Sequence, residues 1–187
     1  MHNDIKQALE ILHNGGVILY PTDTIWGIGC DATNEKAVER IYQIKKRTDS
    51  KSMLVLMENI NFLTRHVEEV PEVAYDLIEF NDKPMTIIYP GAKNLAKNLI
   101  AEDGSIGIRV TSENFTHQLI QRFKKPIVST SANISGEPSP AFFDEISQEI
   151  INAVDYVVGY RQDERTPASP SSIIKLGVGG EIQIIRK

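Results

Sequence analysis

Four cations fall within seven residues of an otherwise acidic chain: Lys45, Lys46, Arg47 and Lys51, in the stretch "IKKRTDSKS". The stretch sits between an amphipathic segment and an apolar run, so it reads as a helix end and the turn after it. A guanidinium fork and mobile ammonium groups on such a turn are what binding a polyphosphate requires. Cations at a helix C-terminus also complement the macrodipole while simply being solvated, and spacing alone is compatible with either role. A second set of residues is neutral. "PTDT" (21–24), "STSAN" (129–133) and "SPSS" (169–172) each place hydroxyls beside an apolar β-type run. In open α/β sheets ligands bind beyond strand ends, where hydroxyls and exposed N–H groups can hold phosphate, carboxylate or ribose. Each stretch singly could be a turn or a helix cap; their repetition at three strand ends is the stronger signal.

Several chemistries lack their residues. There is no Gly-x-x-x-x-Gly-Lys-Ser/Thr loop, no third glycine after Gly27-x-Gly29, and no Gly-x-Ser-x-Gly elbow. The four histidines are scattered without metal-ligand spacing, so no metal site is expected. The single cysteine, Cys30, has no partner for an intramolecular disulfide and reads as a small core residue. Trp26 reads as core or pocket wall.

The elements that must position these groups follow from periodicity. Ile5, Ala8, Leu9 and Leu12 predict a helix over 4–13 that ends at Gly15-Gly16. "VILY" (17–20) reads as a buried strand stopped by Pro21, with a short Gly-containing strand returning after it. Asn34 is placed to cap the helix "EKAVERIYQIKK". Strands are expected at 52–57 and in "MTIIY", "SIGIRV", "PIVST", "AVDYVVG", "SSIIKL" and "IQIIR". Helices are expected over 72–80, in "ENFTHQLIQRF", and over 142–152. Helices and strands alternate early and strands gather late, which predicts an α/β fold: a twisted mixed parallel/antiparallel sheet with flanking helices, in one domain spanning 1–187. The polar, proline-containing "YRQDERTPASPSS" (160–172) is the most irregular segment and a candidate loop over a site. A length of 187 residues with 41% hydrophobic content suits one domain with a sizeable core. A net charge of −5 argues against general polyanion binding but leaves room for a local basic patch. No apolar run is long enough to span a membrane, and a cytoplasmic location is expected.

"GGVILYPTDTIWGIGCDA", "IYQIKKRTDSKSMLVLM", "KPMTIIYPG", "SIGIRV" and "PIVSTSANISGEPSP", in this order, resemble the YrdC/Sua5 family in its short single-domain form. The resemblance runs from about residue 10 to residue 187. It implies a fold with a concave central cavity and the synthesis of threonylcarbamoyl-AMP from L-threonine, bicarbonate or CO2, and ATP. The adenylate would then be passed to a tRNA-modifying threonylcarbamoyl transferase complex. Magnesium would arrive with the ATP.

The same resemblance implies Lys45, Arg47 and Lys51 as catalytic groups on the triphosphate. Ser105, Ser131, Asn133, Ser139 and Arg186 join Arg47 and Lys51 around ATP. Thr22, Thr24, Arg109, Ser129 and Ser171 are implied on the threonine side. Asp82-Lys83, Lys46, Ser52 and Trp26 depart from common family residues and bear on loop geometry and partner contacts. Two alternatives accompany this reading: a noncatalytic protein of the same fold binding RNA, and a diverged paralogue with another carbamoyl-type substrate.

Overall fold

The computed structural model describes residues 1–46 and 53–187. Five helices and nine strands account for most of the regular structure in those residues. Helix α1 (His2–His13) turns Ile5, Ala8 and Leu12 inward and is followed by Gly15, whose φ of 75° is a left-handed position that costs glycine nothing. Strands β1 (Ile18–Tyr20) and β2 (Gly27–Gly29) form an antiparallel pair. Helix α2 (Glu35–Ile44) starts where expected, with Asn34 Oδ1 accepting from the Lys36 and Ala37 N–H groups. Strand β3 (Leu54–Met57), helix α3 (Glu72–Glu79), strand β4 (Met85–Tyr89) and strand β5 (Ile106–Val110) follow. Helix α4 (Asn114–Phe123) is capped by the Glu113 carboxylate, which accepts from the Phe115 and Thr116 N–H groups. It leads through Lys124 at φ 61° into strand β6 (Ile127–Ser131).

The helix expected over 142–152 is divided. A 3-10 turn at Phe143–Glu145 comes first, and helix α5 (Gln148–Ala153) starts afresh at Ser147, whose Oγ accepts from the Ile150 N–H. Ser147 is in an extended conformation suited to a cap, and that breaks the helix. Strands β7 (Tyr156–Val157), β8 (Ser172–Leu176) and β9 (Ile182–Arg186) complete the fold. A 3-10 turn at Ile60–Arg65, capped by Asn59, was not among the expected elements.

The sheet is mixed, in the order β7-β1-β2-β6-β3-β5-β4-β8-β9. Pairs β1–β7, β3–β5 and β4–β8 are parallel and the others antiparallel. Alternation along the strands feeds two apolar layers. Ile18, Tyr20, Leu56 and Ile127 face the layer built by α1 and α4, with Ile5, Leu12, Phe115, Leu119 and Phe123. Leu19, Val55, Met57 and Val128 face the other, with Ala37, Val38 and Ile41 of α2. A sheet covered on both sides has little freedom to slip register, since a one-residue shift would exchange the two faces. The strand ends are held accordingly.

Candidate active site

The hydroxyl-rich strand ends converge. Thr24, Ile25, Trp26 and Gly27 before and at the start of β2, Ser129, Thr130 and Ser131 of β6, and Pro170 and Ser171 before β8 line one hollow of about 180 Å³. Arg109 from β5, Arg186 from β9 and Ser139 complete its polar wall, while Met53, Leu54 and Ile173 supply an apolar side. Trp26 is held against Phe143, with ring centroids 4.9 Å apart.

Arg109 is the deepest charge, with its side chain only 3% exposed. Its Nη2 lies 2.9 Å from Asp23 Oδ1 and donates to Thr24 Oγ1 at 3.3 Å. Thr24 Oγ1 is in turn 3.0 Å from Thr22 Oγ1. The Thr22 hydroxyl donates its one hydrogen to Ile25 O at 2.8 Å, so between the two threonine hydroxyls Thr24 is the donor. The chain of donors therefore runs from Arg109 through Thr24 and Thr22 to a backbone carbonyl. It fixes both threonines and the guanidinium. Arg109 Nε is buried with no hydrogen-bond partner among the described residues, a donor left over for something else. Burial pushes the Asp23 carboxyl above its ordinary value, and the Arg109 charge pulls against that push.

Arg186 donates from Nε and Nη2 to Ser171 O at 2.9 and 2.6 Å. Ser171 Oγ is 2.8 Å from Thr86 Oγ1, which ties the start of β8 to β4. Burial and the nearby Arg109 charge both lower the Arg186 pKa from its ordinary value. Two guanidiniums that repel across a small hydroxyl-lined hollow form a site that an anion relieves.

Of the residues expected from sequence, Thr24, Arg109, Ser129, Ser131, Ser139, Ser171 and Arg186 line this hollow. Thr22 is buried one layer behind, orienting Thr24. The other positions differ. Ser105 stands just before β5, at the end of the strand away from Arg109, and its hydroxyl and N–H both donate to Asp103 Oδ1. Four residues of extended chain, about 13 Å, separate it from Arg109, so it does not join the hollow. Asn133 does not line the hollow either; its Nδ2 donates to Ile134 O and Glu137 O and closes the loop after β6.

Lys45 does not point into the hollow. It is 3% exposed, and its Nζ donates to Ser131 O at 2.5 Å and Asn133 O at 2.6 Å, while its own carbonyl accepts from the Ser135 N–H. It holds the loop from behind. Arg47 and Lys51 lie outside the described residues. Glu137 is exposed and stays out of the hollow.

Residues 160–172 reach the site from one side. Arg161 donates to Thr22 O at 3.0 Å and pairs with Glu113 at 3.3 Å, and Pro170 and Ser171 enter the wall. Sequence reasoning missed Asp23, which stands between Thr22 and Thr24 in the chain and pairs with Arg109. Among the described residues no group of three or more His, Cys, Asp or Glu is placed to hold a metal ion, and the lining of the hollow contains no carboxylate.

The model of a family named for Sua5, YciO and YrdC, with the description telomere recombination, matches residues 10–187. The chain belongs to the Sua5/YciO/YrdC family. One relative, the threonylcarbamoyl-AMP synthase of Pseudoalteromonas translucida, is 35% identical over 157 residues, covering 82% of this chain and 84% of that protein. Among solved structures, E. coli YciO superposes with a TM-score of 0.85 at 26% identity, over 100% of this chain and 90% of that one. P. abyssi Sua5 complexed with L-threonine gives a TM-score of 0.81 at 24% identity, over 92% of this chain but half of that longer one. The Sua5/YciO/YrdC fold is thus shared along the whole sheet. No helix among the described residues is long and apolar enough to cross a membrane.

Proposed function

We propose that this protein is an L-threonylcarbamoyladenylate synthase, a cytoplasmic nucleotidyltransferase that joins L-threonine, bicarbonate or CO2 and ATP to give threonylcarbamoyl-AMP and pyrophosphate, for modification of tRNA beside the anticodon. The observation that carries the reading is the convergence of two guanidiniums, Arg109 and Arg186, on a hollow walled by Thr24, Ser129, Ser131 and Ser171. Threonine brings a carboxylate and a hydroxyl, and such a wall suits both. The 35% identical synthase and the Sua5 crystallised with L-threonine support the same choice.

Chemistry follows from position. Arg109 has an unused Nε donor for the threonine carboxylate and is kept in place by Thr24 and Asp23. The threonine amine, carboxylated to a carbamate, attacks the α-phosphorus through a carbamate oxygen, and the bond to pyrophosphate breaks. No side-chain nucleophile is needed; alignment and neutralisation of charge are the protein's share. Arg186, with Arg47 and Lys51, is assigned to the phosphates, and Ser131 and Ser139 to the nucleotide. About 180 Å³ is small beside the roughly 300–1,000 Å³ of ordinary small-molecule sites, so the hollow takes the threonine carbamate and the reacting phosphate while the adenosine lies along its mouth. Among the described residues the lining holds no carboxylate, so Mg2+ would arrive with the ATP and would supply charge neutralisation on the phosphates beside Arg186.

The test is incubation of the purified protein with ATP, threonine and labelled bicarbonate. Threonine-dependent pyrophosphate and a labelled adenylate are expected. ATP binding without either product rejects the reading. Arg109→Ala is expected to raise the threonine requirement at least tenfold, since breaking a buried charge pair costs about 2–5 kcal/mol. A second reading, a paralogue acting on another carbamoyl-type substrate, is favoured by the end-to-end likeness to E. coli YciO. Screening other amino acids in the same assay separates the two.

A further inference from the structure

Strand β9 closes one edge of the sheet, pairing with β8 and with no other strand among the described residues. All five of its residues are exposed, and three are isoleucines: Ile182 at 51%, Ile184 at 60% and Ile185 at 50%. An open edge is a template for another strand, and proteins usually blunt it with lysines, prolines or bulges along the exposed row. Here the one irregularity of the β8–β9 ladder falls towards Arg186 and leaves 182–184 regular.

The hydrogen-bonding face of that row can be read off. The Gly177 N–H donates to Glu181 O at 2.9 Å, so in an antiparallel ladder Gln183 faces β8 and Ile182 and Ile184 turn their N–H and C=O groups outward. Those outward groups sit on the two residues whose side chains share one apolar face.

We propose that this edge is a self-association surface, where β9 pairs antiparallel with β9 of a second copy about a two-fold axis at Gln183. In that register Ile182 lies opposite Ile184 of the second copy and, by symmetry, Ile184 opposite its Ile182. Both outward residues exchange backbone hydrogen bonds, and four isoleucines pack on one face. On the other face Gln183 meets its own equivalent, and Glu181 is diagonal to Lys187 of the second copy. Opposite charges at that diagonal are within reach of long side chains. Neither Glu181 nor Lys187 has an ion pair within the chain among the described residues.

Competing registers are worse. A one-residue shift sets opposite faces against each other. A two-fold axis at Ile184 instead sets Ile182 against Arg186, whose guanidinium is committed to Ser171 O. The interface is isologous and closes at two copies. The opposite edge is the two-residue β7, too short to propagate a filament. This association goes beyond the reaction proposed above and does not depend on it.

Sedimentation of the full chain at low to high micromolar concentration tests it. A concentration-dependent monomer–dimer equilibrium is expected. Ile184→Lys, on a side chain already in solvent, should yield monomer and keep the melting temperature that the parent shows at concentrations too low for it to dimerise. Glu181→Lys and Lys187→Glu should each weaken association several-fold, and the two together should restore it. Monomer at every concentration, or a dimer that survives Ile184→Lys, overturns the proposal.

Discussion

Replacing Lys45 by methionine asks whether this lysine acts on substrate or on the loop that forms the site. Methionine keeps the length of the stem and removes the ammonium. The parent Nζ donates to Ser131 O and Asn133 O from a side chain 3% exposed, so the change leaves both carbonyls without that donor. Hydrogen bonds from a charged donor contribute about 1.5–3 kcal/mol each, and relief of the ammonium's desolvation offsets part of the sum. A net loss of about 2–4 kcal/mol follows. For a chain of this size each kcal/mol shifts Tm by about 2–4 °C, which predicts a fall of roughly 5–15 °C. Calorimetry on the parent and Lys45→Met measures it, with ATP affinity taken on the same samples below the transition. Affinity should fall too, because Ser131 rides on the released loop. A Tm within about 2 °C of the parent, together with loss of synthase activity, would refute the positional argument and return Lys45 to the substrate.

Three further outcomes follow from the same geometry. A Cβ on Gly29 would lie 2.4 Å from Val128 O and 2.7 Å from the Tyr20 ring, so Gly29→Ala should cost at least about 2 kcal/mol in a denaturant titration; a smaller loss would mean that the β1–β2–β6 contact yields. Lys175 and Ser105 hold Asp103 down at about 2, below its ordinary 3.8. A depressed carboxyl stabilises the fold above its unfolded pKa and loses that contribution as pH falls through the folded one, so the Tm difference between parent and Asp103→Asn should be full above about pH 4 and fade towards pH 2. Because Ser105 serves Asp103 outside the hollow, Ser105→Ala should leave the ATP requirement unchanged while Ser131→Ala raises it, a contrast that steady-state kinetics resolves.

How much of this was legible beforehand depended on the kind of signal. The hydroxyl rows were readable because Pro21 and the polar runs after "VILY" and "PIVST" mark strand ends, and strand ends in such sheets gather ligands. The path of a charged side chain was harder to read. Lys45 and Lys46 are neighbours, yet Lys45 follows Ile41 by four residues and shares its buried face, whereas Lys46, at φ 51°, turns out to pair with Glu149 at 2.7 Å. Counting from Ile41 would have separated them. Ser105 lies outside the hollow for a related reason: it immediately precedes β5, at the end of that strand away from Arg109. Asp23 and the tie between Thr86 and Ser171 join residues on separate elements, and no local pattern announces which distant group a side chain will meet. The division of the expected helix at Ser147 shows a cap residue overriding an amphipathic run.

The strand order also has a kinetic side. Ile18 pairs with Tyr156, so the first strand made must wait for more than a hundred later residues before its parallel neighbour exists. Met85 likewise waits for Ser172. Closing such long loops before their contacts can reward it slows folding, and parallel pairings between distant segments are the slow kind. During synthesis the β1–β2 hairpin has both flanks open until β6 and β7 emerge, which makes the nascent chain's early apolar strands its natural point of protection by a chaperone or of misassociation.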